Sequence, residues 1–245
     1  MDSEKQMANH IHCQNCSISQ LCLPYTLDES SLSRLDSIIE RKRPYQRGDV
    51  LYRAGETLNS LFAVRSGSFK TFTLNDNGDM QITAFHLPGD LIGFDAISDG
   101  NHQGYSEALE TSMVCEIPYD NLEDLSGQVP ALRRQMMKLM SDELISDKRM
   151  LTLINTRTAE QRLAAFLIEL SSRFRARGLS SKQFRLSMTR GEIGNYLGLT
   201  VETVSRLLSR FQKSDLIHVQ GRALDILNMD ALCDVAGVPH LPCPD

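Results

Sequence analysis

Three cysteines fall within the eleven residues HCQNCSISQLC, from His12 to Cys22, spaced as Cys13-x2-Cys16-x5-Cys22. A thiolate is a soft metal ligand, and a short loop can bring three of them to one centre, but a tetrahedral zinc or a cubane cluster takes four. Cys115 is the fourth candidate. It lies in TSMVCEIPY, where strand alternation puts Met113, Cys115 and Ile117 on one face, a pattern that equally suits burial of a small apolar side chain. Structural zinc usually shows paired knuckles, and this chain has a single C-x2-C. The C-x3-C-x2-C run of radical enzymes is also missing. Spacing alone leaves zinc and an iron–sulfur cluster open. Of the other cysteines, Cys233 reads as packing and Cys243 as incidental.

A second chemistry-bearing stretch is MTRGEIGNYLGLTVETVSRLLSRFQKSDLI. Thr189 and Glu192 have capping-box spacing, so a helix starts near Arg190. Gly198 permits a tight turn, and Thr200 caps a second helix with Val204, Leu207, Leu208 and Phe211 on its apolar face. Two short helices around a glycine turn form a helix-turn-helix. The second would enter the major groove with Val201, Glu202, Ser205 and Arg206. Glu202 can accept from cytosine N4, Arg206 can donate twice to guanine, and Val201 can touch a thymine methyl. LIHVQGRALDIL then suits a two-stranded wing turning at Gly221.

Charge supports a polyanionic partner for this region. Thr156 to Arg222 holds 12 Lys and Arg against 5 Asp and Glu, on a chain of net charge −5. No convergent acid–base set is visible and the six histidines are scattered, which argues against an enzyme. The chain has 245 residues, room for one large or two modest domains, and neither a signal-peptide pattern nor a membrane span. A reducing cytoplasm is expected, where lasting disulfides are disfavoured.

The elements that must position these residues follow from periodicity. Residues 28–43 form a short helix capped by Asp28 or Ser30, with Leu32, Leu35, Ile38 and Ile39 on one face. From Arg47 to about Gly127 short strands alternate with glycine turns, and Asn77-Gly78 signals a hairpin because both residues tolerate positive φ. Pro130 opens a helix over 130–155. In it Met137, Met140, Leu144, Asp147, Leu151, Ile154 and Thr158 step by three and four, as a coiled-coil seam does. Asp147 would meet its own copy across a parallel dimer, making that dimer marginal. Residues 159–180 are another amphipathic helix, built on Leu163, Phe166, Leu167 and Leu170, and LSSKQFRLSM leads into a strand.

Taken with FHLPGDLIGFDAI, ALETSMVCEIP, AEQRLAAFL and the isolated Asp147, these pieces resemble the fumarate–nitrate reduction (FNR/ANR) branch of the cyclic-AMP receptor protein superfamily. The resemblance implies an α+β fold: an N-terminal β-roll of the cyclic-nucleotide-binding jelly-roll kind, a long dimerisation helix and a C-terminal winged helix-turn-helix. The corresponding division is a cysteine-bearing arm (1–27), roll (28–128), dimer helix (129–158) and DNA-binding domain (159–245). It further implies an oxygen-labile [4Fe-4S] cluster on Cys13, Cys16, Cys22 and Cys115, and TTGAT-like half-sites read by Glu202, Ser205 and Arg206. Also implied are a homodimer opposed by Asp147 and a contact with RNA polymerase. No cyclic nucleotide is expected, because Gly89 to Leu109 contains no Arg or Lys to balance a phosphate.

Overall fold

A computed structural model describes residues 12–238 of the chain; Cys243 lies outside them. Residues 12–27 pack against the rest of the fold, with Cys22 and Leu23 in a core shared with α1 and the roll. Two short 3-10 turns, Cys13–Asn15 and Ser19–Leu21, bury Cys13, Cys22 and Leu23. Asp28 caps α1 (Glu29–Ile38), accepting from Ser31 N at 2.8 Å. This helix ends before residue 43. Ile39 is already extended, and Glu40 forms an antiparallel bridge to Glu116.

Seven strands build the roll: β1 (Val50–Tyr52), β2 (Ser60–Ser66), β3 (Phe69–Leu74), β4 (Met80–His86), β5 (Leu91–Ile92), β6 (Tyr105–Ala108) and β7 (Met113–Pro118). They form two antiparallel sheets, ordered β1-β6-β3-β4 and β5-β2-β7. Inward residues such as Tyr52, Phe62, Val64 and Phe69 fill one core. The β3–β4 hairpin is present, but only Gly78 takes positive φ (81°). Asn75 Oδ1 accepts from Asn77 N and Asp79 N, so a longer side-chain-braced loop replaces the two-residue turn.

After α2 (Tyr119–Gln128), α3 (Pro130–Thr156) begins with Pro130 in its first turn. Its first turns bury Leu132 and Gln135. Farther along, Met137, Leu144, Ile145 and Leu151 are exposed. Among the described residues no helix is long and apolar enough to cross a membrane.

Next comes α4 (Ala159–Ala176), opened by a Thr158–Gln161 capping box and burying Leu163, Phe166, Leu167 and Leu170. The remaining elements are β8 (Gln183–Arg185), α5 (Arg190–Leu197), α6 (Val201–Lys213), β9 (Ile217–Gln220), β10 (Ala223–Ile226) and α7 (Met229–Ala236). The wing has three strands, β8-β10-β9, instead of two. Helix α7, with no counterpart in the sequence expectations, packs on α4 and buries Cys233.

The C-terminal domain docks on the roll of its own chain. Asn195 on α5 accepts from Ile82 N and donates to Met80 O, both at 2.6 Å. Buried Lys70 on β3 contacts Glu107 at 3.1 Å and Glu192 on α5 at 3.0 Å. Asp90 pairs with Arg173 of α4 and with Arg177, the residue that follows that helix. Phe85, Phe166 and Tyr196 pack ring to ring, so one apolar core runs from β4 into the helix-turn-helix.

Candidate metal centre and nucleic-acid interface

Cys13, Cys16, Cys22 and Cys115 line one cavity of about 30 Å³, walled mainly by apolar side chains such as Leu35, Ile39, Ala63 and Ile117, with Ser19 and Arg65 also in its lining. Three of the thiols come from the folded segment and the fourth from β7, where Cys115 pairs with Ala63 of β2. Burial pushes the Cys22 thiol up to about 12. Burial, then a hydrogen bond to Asp36, raises Cys13 further, and burial raises Cys115. These thiols therefore hold their protons in the metal-free fold, and a metal would displace them. Among the described residues no three His, Cys, Asp or Glu side chains converge closely enough for a single metal ion. Four sulfurs around a shared apolar space are a soft, all-thiolate donor set, which fits an iron–sulfur core.

Neighbouring residues hold this segment in place, and sequence reasoning missed them. On α1, Asp36 Oδ1 accepts from Cys13 N at 2.9 Å, while Asp36 Oδ2 lies 2.6 Å from His12 Nδ1. Arg41 also donates to Asp36. Burial alone would raise the Asp36 carboxyl, but hydrogen bonds from His12, Cys13 and Arg41 hold it well below the usual carboxylate range. On α3, Gln135 Nε2 donates to Cys22 O at 3.1 Å. Gly89, at φ +98°, lets the roll approach the segment closely; a Cβ there would lie 2.8 Å from Leu21 Cβ.

The helix-turn-helix forms through the local chemistry expected of it. Thr189 and Glu192 complete a capping box, Gly198 is left-handed at φ 64°, and Thr200 caps α6. Helix α6 buries Val204, Leu207, Leu208 and Phe211. Val201, Glu202 and Arg206 are exposed, and half-buried Ser205 accepts from Arg190 Nη1 at 3.3 Å. Its own backbone N–H and the Thr200 hydroxyl hold Glu202 below the usual carboxylate range, keeping it an acceptor. Gly194 admits the turn: a Cβ there would meet Leu199 O at 2.7 Å.

A separate cleft of about 210 Å³ opens between the roll and α3, lined by Tyr52, His86, Asp95, Gln103, Glu143 and Asp147 among others. Its lining contains three carboxylates and no Lys or Arg. Burial first, then Asp147, Asp95 and Asp90, push the Glu143 carboxyl up to about 7. Asp147 is exposed at the cleft rim, and partial burial raises its carboxyl too. On the seam beside it, Leu144 and Leu151 are exposed, while Met140 and Ile154 are half-buried.

Residues 161–235 match the Crp-like helix-turn-helix domain, and residues 42–128 match the cyclic nucleotide-binding domain. The chain is 58% identical over 245 residues to the fumarate and nitrate reduction regulatory protein of Vibrio cholerae, covering 97% of this chain and 98% of that one. It is 60% identical over 227 residues to the Escherichia coli K12 protein of the same name, covering 93% and 91%. The structure of FixK2 from Bradyrhizobium japonicum is similar with a TM-score of 0.75 and 29% identity, over 81% of this chain and 97% of that one. A nucleotide-binding-type roll, a Crp-like helix-turn-helix and likeness along nearly the whole chain agree, and the chain belongs to the fumarate and nitrate reduction regulatory proteins, which are DNA-binding transcription regulators and not enzymes.

Proposed function

We propose that this chain is a cytoplasmic, oxygen-responsive transcription regulator whose Cys13, Cys16, Cys22 and Cys115 hold a [4Fe-4S] cluster. The observation that carries this reading is the lining of one apolar cavity by all four thiols. When bound, the cluster supplies an oxygen-labile link between the N-terminal segment and β7.

The chain's own residues connect that link to DNA. Cys22 is tied through its carbonyl to Gln135 in the first turns of α3. The same helix carries the exposed stripe of Met137, Leu144 and Leu151, which pairs with a second copy. Met140 and Ile154 flank the stripe, and Asp147 sets two carboxylates against each other unless other contacts offset them. A coupling of about 1–3 kcal/mol is enough to shift the monomer–dimer balance substantially. In the dimer two α6 helices lie about 34 Å apart, one turn of DNA. Val201, Glu202, Ser205 and Arg206 then read inverted TTGAT-like half-sites, and another surface meets RNA polymerase. The roll serves as scaffold: a cleft with three carboxylates and no cationic lining residue opposes a cyclic phosphate.

The test is visible absorption with iron and sulfide analysis of protein purified without oxygen, repeated after air together with DNA binding. A brown protein that loses colour and operator affinity in air is expected. A colourless zinc protein, or a brown one indifferent to air, overturns the reading.

A further inference from the structure

One buried donor beside the cysteine cavity is left over. Beyond α1, Glu40 N donates to Glu116 O at 2.8 Å and Glu116 N returns a bond to Glu40 O at 3.0 Å. In antiparallel register the adjoining pair is Arg41 and Cys115. Arg41 thus sits across from the β7 thiol, while Ala63 flanks that thiol on its other side. One arm of the guanidinium, Nη2, reaches Asp36, the carboxylate that grips Cys13. Arg41 Nε is buried and has no hydrogen-bond partner among the described residues. Buried donors are nearly always satisfied, most of all on a charged group, so one left over beside a site points to the site's occupant.

We infer that Arg41 is an outer-sphere positioning residue of the metal centre: Nε–H is kept for a sulfur on the Cys115 side, and the guanidinium balances the negative charge of the thiolate-bound core. The assignment rests on the cluster reading above. Hydrogen bonds to sulfur raise the reduction potential of such a core, and outer-shell partners tighten metal retention. Lysine at this position keeps the charge without the fixed fork of donors; glutamine keeps neither.

Wild type, Arg41→Lys and Arg41→Gln are loaded anaerobically with iron and sulfide. Arg41→Gln is expected to lose iron to a chelator about tenfold faster than wild type. Both variants are expected to show a more negative midpoint potential, Arg41→Lys the less so. In wild type labelled with nitrogen-15, the Arg41 Nε–H resonance shifts or broadens on loading, a readout that needs no variant to fold. Loaded wild type with an unmoved Nε–H resonance, or folded variants that match it in iron loss and potential, overturns the role of Arg41 alone. A wild type that takes up no iron and sulfide overturns the cluster reading beneath it.

Discussion

Gln135 Nε2 donates to the carbonyl of Cys22 at 3.1 Å, and both residues are buried. The contact joins the backbone of the third cysteine of the N-terminal segment to the helix that carries the exposed seam. On the proposed function, this bond is a route by which a displacement of residues 13–22 would reach α3.

Gln135→Leu keeps the apolar bulk but leaves the Cys22 carbonyl without that donor. Stability of the metal-free protein is expected to fall by about 1–3 kcal/mol, the cost of an unsatisfied buried group. Urea unfolding measures this. Sedimentation with and without the cluster tests whether the dimer responds less to loading.

Asp147→Ala removes the carboxylate from the middle of the seam while Leu144 and Leu151 remain exposed on either side. The variant is expected to dimerise and bind operator DNA in air. A monomer in aerobic size-exclusion chromatography contradicts this account of α3.

Glu143 gives the protomer a pH signature. Its carboxyl is raised from 4.5 to about 7, by burial first and then by Asp147, Asp95 and Asp90. A folded-state value above the unfolded one means that the protonated form favours folding. The contribution is complete below about pH 4.5 and is lost as pH rises through about 7. Glu143→Gln mimics the protonated state, so it is expected to raise stability at about pH 8 by roughly 2 kcal/mol and to change little at about pH 4. Thermal unfolding across this range checks both.

How far these features were legible depends on their range along the chain. Thr189, Glu192, Gly198 and Thr200 could be placed because caps and left-handed turns use chemistry within a few residues. The roll strands could be found from alternation and turn glycines. The contact of Asn195 with Ile82 joins positions 113 apart, and no periodicity in either segment records it. The ring packing of Phe85, Phe166 and Tyr196 is similarly invisible, so two domains that share a core were expected as separate units. Nothing local singles out Asp36, Arg41 or Gln135 in the sequence, because the partners that give them their roles lie on other elements. Cys115 was recognisable as a candidate ligand, but only the fold brings β7 to the same cavity as residues 13–22.

Lys70 tests the docking of the two domains. It is 6% exposed and bridges Glu107 and Glu192. Lys70→Met leaves two partly buried carboxylates together without their cation, and a loss of about 2–3 kcal/mol is expected. Burial would raise the Glu192 carboxyl, but the Thr189 backbone and hydroxyl and then Lys70 hold it low. Its contribution is present above about pH 4.5 and is lost as pH falls below that value. In Lys70→Met, hydrogen exchange at the Ile82 amide, which donates to Asn195, is expected to accelerate.

Arg206→Ala removes from the exposed face of α6 the side chain proposed to donate twice to guanine. Discrimination at one guanine of each half-site is expected to fall by about 1–3 kcal/mol, with a smaller loss on operators already altered there. Glu202→Ala is expected to relax selection at a neighbouring cytosine. Fluorescence anisotropy on systematically varied palindromes, at fixed salt, separates the two.

The Asn195 side chain does more than orient α5. β4 is the outermost strand of its sheet, and Asn195 takes up backbone groups that a neighbouring strand would otherwise pair. An uncovered strand margin is a template for recruiting foreign chains. Were the C-terminal domain to swing away, that margin would be laid bare, so the tether that orients α5 also guards against self-association and precipitation.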